Sequence, residues 1–467
     1  HGHATHDHDS KHDHKHDTTK HSHDHDGKPH SHGIAASVVQ EDANLPKQWY
    51  RGNLHTHSLW SDGNDFPEMI VDWYLQNDYD FLALSDHNIL SEGQKWVKQS
   101  LSNERGGIQG FKRYLERFGD DWVETRTRNG VDEVRLKPLG EYRQLFETAG
   151  EFLLIQSEEL SDHFQQHPVH INIANIRDVI RPQGGDSVRD TIANNLKAII
   201  TQQQRTGQPM LPHLNHPNFG YAVTAEDIAA VIEERFFEVY NGHPSINHRG
   251  DDTHVSVERL WDIANTLRIA EYNSPPLFGI GTDDSHNYFG QRGSSPGRGW
   301  VMVHAAFLTP ESLIHAMERG DFYASSGVTL ANVEFDAESR TYTVAVEPVD
   351  GEQYTIEFIG TRAGFDPSRE PRFNEAGEPL RVTHKYSAEI GSVLQSSENV
   401  IAATYTLTGD ELYVRAVVTS SAEPDNPAFE DQKKQAWTQP FGWKAALAAK
   451  AAETESVEGD AGTDASK

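Results

Sequence analysis

The sequence predicts an α/β fold, in which a parallel sheet forms a closed or distorted barrel and a small antiparallel β domain follows it. Three observations carry this expectation. From about Leu45, strand-like and helix-like segments alternate, as they do where crossover helices join parallel strands. Clusters of His, Asp and Glu fall repeatedly at the carboxyl ends of the predicted strands, where barrels of this kind place their chemistry. After about Thr329 the pattern changes to period-two segments, such as residues 341–346, 354–359 and 412–418, with turn-rich spacers between them.

Four segments result. Residues 1–44 are a polar, His-rich tail, 45–329 the barrel, 330–443 the β domain, and 444–467 an Ala-rich and acidic tail that is a short helix at most. Within the barrel, residues 54–57 read as a strand that carries His55 and His57. Side chains at i and i+2 of a strand share a face, so the two imidazoles can meet at one point. Residues 66–76 read as a helix, with Pro67 in its first turn and Met69, Ile70, Trp73 and Tyr74 on its apolar side. A short buried strand over 80–85 runs into Asp86-His87-Asn88. Residues 93–118 look helical with a break at Gly106-Gly107, and Asn129-Gly130 signals a hairpin. The strand 152–156 leads into Ser157-Glu158-Glu159, and residues 169–176 alternate around His170. A helix over 188–203 precedes His213-Leu214-Asn215-His216-Pro217. The strand 236–240 ends in Asn241-Gly242-His243, a helix covers 255–267, and an apolar stretch from Gly279 delivers Asp284 and His286.

Composition narrows the function. The 467 residues carry 71 acidic and 41 basic side chains, a formal net charge of -30, and that surface repels phosphate backbones. No basic stripe suited to nucleic acid is present, and no apolar run is long enough to span a membrane. The absence of cysteine excludes disulfides and thiolate metal sites. A first residue that is His rather than Met suggests a processed chain, which together with the acidic surface predicts a periplasmic or secreted protein.

Residues 1–33 hold 12 of the 27 histidines, spaced by Asp, Ser, Lys and Gly, and have too little apolar surface to fold. The tail is expected to capture extra zinc, copper or nickel, and His1-Gly2-His3 allows a square-planar copper or nickel site at a free terminus.

A His-x-His pair alone is weak evidence for a metal site, because two exposed polar residues on an edge strand read the same way. The rest of the chain supplies the matching ligand types. His55, His57, Asp62, His87, Glu159, His170, His216, Asp284 and His286 all sit in strand-end motifs, and a carboxylate such as Glu159 can bridge two cations. The series HTHSLWSDG, LSDHN, SEELS, HINI, NHPN and GTDDSH, in that order over about residues 50–290, resembles the polymerase and histidinol phosphatase (PHP) superfamily. The resemblance implies a distorted (βα)7 barrel, TIM-like in its layout, that holds up to three divalent ions, whether Zn, Mn or Fe. By the same resemblance His55, His57, Glu159 and Asp284 hold the first ion, Asp62, His87 and His286 the second, and Glu159, His170 and His216 the third. Family spacing selects Glu159 over Glu158 and Asp284 over Asp283.

The implied activity is that of a phosphoesterase acting on small phosphomonoesters or phosphodiesters with a metal-held hydroxide. Residues 298–327 and the stretch Ala436-Trp437-Thr438-Gln439-Pro440 are similar to exported PHP-type hydrolases with a C-terminal β extension, including carbaryl-hydrolase-like members. That second resemblance keeps carboxyl or carbamate esters open as substrates, and a non-catalytic zinc-binding protein is a third reading. His243, Arg249 and Arg298 are candidate substrate contacts, although a lone Arg is more often a surface residue. His213 and Asp86 are expected to support ligands from behind, and His163 and His167 to be solvated.

Overall fold

A computed structural model describes residues 44–107, 109–290 and 293–461, with side chains through residue 452. The His-rich tail, and the metal capture expected of it, lie outside the described residues.

Thirteen strands form one sheet. Numbered within that sheet they are β1 (Gln48–Asn53), β2 (Phe81–Leu84), β3 (Leu153–Phe164), β4 (His167–Ala174), β5 (Leu211–Leu214), β6 (Phe236–Asn241), β7 (Phe278–Thr282), β8 (Trp300–Ala305), β9 (Phe322–Ser325), β10 (Tyr354–Arg362), β11 (Ser392–Glu398), β12 (Glu411–Ser420) and β13 (Gln435–Thr438). Their order is β7-β6-β5-β4-β3-β2-β1-β8-β9-β13-β12-β10-β11. β2, β6 and β7 are buried along their whole length, as expected of strands with layers on both faces.

Two features depart from the expected barrel. The first is strand direction. β1, β2 and β3 run parallel, as do β5, β6 and β7, but β3, β4 and β5 alternate in direction. Only Gln165 and Gln166 separate β3 from β4, too few residues for a crossover helix, and Gln165 turns the chain at φ 53°. The second is closure. In a barrel the free edge of β1 would pair with the last barrel strand, but here β8 returns antiparallel and takes that edge, from Gln48↔Ala305 to Gly52↔Val301. The sheet therefore stays open and continues through β9 and β13 into the C-terminal strands.

Helices cover the sheet where the apolar period placed them. In α1 (Pro67–Gln76), with Pro at its start, Ile70, Val71 and Tyr74 pack with Leu82, Leu84 and Leu154. In α2 (Val188–Thr206) the side chain of Ser187 caps the N-terminus by accepting the Asp190 N–H, and Gly207 at φ 68° ends the helix. Val188, Ile192, Leu196 and Ile199 of α2 bury one face with Ile171 and Ile173, each such side chain contributing about 1.5–3 kcal/mol. α3 (Val257–Ala270) is buried continuously from Leu260 to Ile269, since β6 packs on it from the parallel part of the sheet and β10 and β12 from the C-terminal part.

The segment 93–118 is helical only in part. Residues Lys95–Lys98, which include Trp96 and Val97, form a strand against Val131–Leu136, and the helices Gln99–Gly106 and Gly110–Phe118 follow on either side of the expected break. At the other end Trp443–Ala461 is a helix of 19 residues, longer than the short helix its sequence suggested. Alanine supports it, Trp443, Ala446 and Leu447 pack against Ile269 and Tyr413, and Lys450 Nζ donates to the carbonyls of Ile269 and Ala270.

Candidate metal centre

β1 ends at Asn53, earlier than the sequence pattern indicated, so His55 and His57 leave the strand on an extended loop. The loop is pinned along its length. Thr56 accepts the Ser85 N–H, the His57 N–H donates to Ser285 O, and the Asp86 carboxylate accepts the N–H groups of Ser58 and Ser61. Both imidazoles remain fully buried and point the same way, with Nε2 atoms 3.1 Å apart. Asp284 and His216 adopt φ of 48° and 22°, a conformation that costs a non-glycine residue about 1 kcal/mol or more.

Six imidazoles and three carboxylates converge. Nε2 of His55 lies 3.2 Å from Asp284 Oδ1 and 3.4 Å from Glu159 Oε2, and Nε2 of His57 lies 3.2 Å from each of the same oxygens. His87 spans two carboxylates, with Nδ1 3.0 Å from Glu159 Oε2 and Nε2 3.4 Å from Asp62 Oδ2. The other Glu159 oxygen faces His170 Nδ1 at 2.9 Å and His216 Nε2 at 3.6 Å, and takes a hydrogen bond from Asn215. His286 Nε2 is 3.4 Å from Asp62 Oδ1, and Nδ1 of His57 is 3.6 Å from the same atom. All nine residues singled out in the sequence thus lie in one cluster. The grouping differs in detail from the one the resemblance implied: His57 joins Asp62, His87 and His286, and His87 joins Glu159 and His170.

The residues fit divalent ions. With metal–ligand bonds of about 2.1 Å, ligand atoms around one ion stand roughly 3.0–3.4 Å apart, which is the spacing found here. Glu159 Oε2 and His57 Nδ1 are buried without a hydrogen bond, an arrangement that costs about 1–3 kcal/mol each unless a cation completes it. The charges agree. Burial would lower the His55 imidazole, but Asp284, Glu238 and Glu159 hold it well above 6.5. For His87, burial is likewise outweighed by Glu159 and Asp62, which push it up to about 11. Burial would raise Glu159, yet His87, His55 and His170 hold it well below the usual carboxylate range. The surrounding carboxylates thus favour positive charge at these imidazoles, which is the charge that bound cations would supply.

The neighbouring acids divide cleanly. Glu158 points to the opposite face of β3 and accepts the Ile180 N–H, and Asp283 is held by the N–H groups of Gly297, Arg298 and Gly299. His243 lines the cavity over the cluster together with Phe219 and Ile246; the cavity measures about 170 Å³. Burial keeps the His243 imidazole below its ordinary value. The two arginines do not reach that cavity. Arg249 stacks on Phe429, 5.0 Å from the ring centre, and donates to Asp431 O, while buried Arg298 donates to Gly242 O, Gly293 O and Asn426. His163 and His167 stand away from the cluster, and His213 lies behind it, 3.6 Å from Glu238.

Glu238 is the residue the sequence reading passed over. It is fully buried in β6, within hydrogen-bonding distance of His55. Its signal was present as one acid inside the otherwise apolar run Phe-Phe-Glu-Val-Tyr.

No protein-family model matches the chain, and no curated protein matches it. Among solved structures, the chain is similar to a two-domain protein from Bacteroides vulgatus described as containing a predicted PHP-like metal-dependent phosphoesterase. The TM-score is 0.34 at 13% identity, over 84% of this chain and 95% of that one. It is also similar to a candidate metal-dependent phosphoesterase from Bifidobacterium adolescentis, with a TM-score of 0.27 at 12% identity, over 52% of this chain and 92% of that one. Likeness of that depth assigns no chemistry.

Proposed function

We propose that this chain is a metal-dependent hydrolase of the PHP type that cleaves small phosphomonoesters or phosphodiesters. One observation carries the reading: the buried, unbonded Glu159 Oε2, with three imidazole nitrogens 3.0–3.4 Å away. His55, His57, Glu159 and Asp284 would hold one ion, Asp62, His87 and His286 a second, and His170 and His216 with Glu159 a third. When bound, such ions make water acidic enough to react near neutral pH and offset negative charge on the ester. The chain's own residues do the rest. Phe219 and Ile246 wall the cavity, and His243, whose imidazole burial holds below its ordinary value, stands where it can hold the substrate by a hydrogen bond.

A carboxyl or carbamate ester is the second reading. Among the described residues no Lys or Arg lines the cavity, which suits an uncharged ester as well as a phosphate held by metal alone. Metal content and turnover of p-nitrophenyl phosphate, bis-p-nitrophenyl phosphate and p-nitrophenyl acetate separate the two, measured on the full chain and on a chain lacking residues 1–41. Phosphate-ester turnover with metal retained after truncation supports the first reading, and acetate turnover alone replaces it with the second. The acidic composition supports a periplasmic or secreted setting, where the His-rich tail would gather ions for the centre.

A further inference from the structure

One buried carboxylate stands directly behind the cluster, 2.6 Å from His55. Glu238 sits in the middle of β6, where all six residues are buried, and an ionised acid in such a place costs several kcal/mol unless every lone pair is used. Its hydrogen bonds are complete. Oε1 faces His55 Nδ1 at 2.6 Å and accepts the Thr282 hydroxyl at 2.7 Å. Oε2 accepts the backbone N–H of His216 at 2.7 Å and the Asn241 amide at 2.8 Å. That same Asn241 amide donates to Asp284 Oδ2 at 3.1 Å.

We infer that Glu238 is a positioning residue that fixes the His55 tautomer for metal binding and sets His216 and Asp284 in register with it; this rests on the metal-centre reading above. An ionised carboxylate only accepts, so the proton between it and His55 sits on Nδ1. The lone pair of Nε2 is then free, and Nε2 is the atom that faces Glu159 and Asp284. One group behind the cluster thus reaches His55 by its ring, His216 by its backbone and Asp284 through Asn241. Those three residues belong to two different candidate ion positions.

Glu238→Gln tests this because its shape is unchanged and its polarity is not. The backbone N–H of His216 and the Asn241 amide can only donate on their side, so the Gln carbonyl must face them. The Gln NH2 then faces His55 and Thr282. Thr282 can accept, and His55 Nδ1 must accept too, which moves the ring proton to Nε2 and blocks the atom that faces the cluster.

The measurement compares wild type, Glu238→Gln, Thr282→Val and His55→Ala as full chains, so the tail's ions are common to all. Zinc is titrated against a competing chelator, the thermal midpoint records folding, and long-range proton–nitrogen spectra of 15N-histidine-labelled, zinc-loaded protein record which ring nitrogen of His55 carries hydrogen. Glu238→Gln is expected to stay folded, to lose zinc affinity by about 10–100-fold, and to show hydrogen on Nε2 in place of Nδ1. Thr282→Val, which removes a hydrogen bond to the same oxygen but not the His55 contact, is expected to keep both its zinc and the Nδ1 proton. A folded Glu238→Gln chain with wild-type zinc affinity and an Nδ1 proton overturns the inference while leaving the centre in place. Wild type holding no more zinc than His55→Ala would instead remove the centre, and the inference with it.

Discussion

Asp283 and Asp284 are adjacent in the chain and turn to opposite sides of it. Asp283 Oδ1 accepts the N–H groups of Arg298 and Gly299, and its Oδ2 those of Gly297 and the Tyr74 hydroxyl. Asp284, in the left-handed conformation, places Oδ1 3.2 Å from Nε2 of both His55 and His57. One acid ties the chain after β7 to the loop before β8, and the other faces the cluster.

The two should therefore fail differently. Asp283→Asn puts an amide hydrogen against backbone donors and is expected to cost about 2–3 kcal/mol in urea unfolding. Asp284→Asn is expected to unfold near the wild-type midpoint and to lose bound metal in elemental analysis.

Removing a cluster imidazole should abolish turnover without touching the tail. His55→Ala or His57→Ala is expected to lower kcat/KM by more than about 100-fold, the upper range for groups that only support a ligand, while nickel-resin capture through residues 1–33 persists.

The arginines should be silent in catalysis. Arg249 stacks on Phe429 and is turned from the cavity, so Arg249→Ala is expected to leave KM within about twofold in steady-state assays, in line with its being an exposed surface contact.

His248 makes the fold acid-sensitive. Its Nε2 accepts the Asn241 N–H and its ring stacks on Tyr240 at 4.8 Å, and burial pushes the imidazole down to about 4. With a folded value near 4 and an unfolded one near 6.5, the neutral ring stabilises the fold above pH 6.5, and that contribution is lost as pH falls toward 4. Wild type is expected to lose about 2.5 kcal/mol more than His248→Gln between pH 7 and 4.5, read from paired urea titrations.

The pair Asp262–Arg415 joins α3 to β12, with contacts of 2.8 and 2.7 Å, and Arg415 is 1% exposed. Asp262→Ala leaves that buried guanidinium with only Glu258, 3.4 Å away, as a carboxylate partner and is expected to cost about 3 kcal/mol in urea unfolding, with metal content unchanged in the chain that remains folded.

The ligand motifs were legible because imidazole and carboxylate at strand ends are costly residues to keep without a use. The helices α1, α2 and α3 were legible from apolar period and caps, as with Ser187 and Gly207. Strand direction was not, because His167–Ala174 reads the same way whether its neighbour runs with it or against it, and only the two-residue link at Gln165-Gln166 distinguishes the cases. Nor was the open sheet, since nothing local in Trp300–Ala305 says which edge it will take. Glu238 was missed because the polar clusters drew attention to strand ends, and it lies in mid-strand.

The side chain of Gln439, just past β13, accepts the Gly279 N–H at 2.7 Å and donates to Gly279 O at 2.9 Å, acting as a neighbour for β7. β13 also lies between β9 and β12, so the strand that precedes Asp284 takes a hydrogen-bonding neighbour from a residue 160 positions further along the chain. The stretch that delivers Asp284 to the cluster is therefore held on that side by the C-terminal strands.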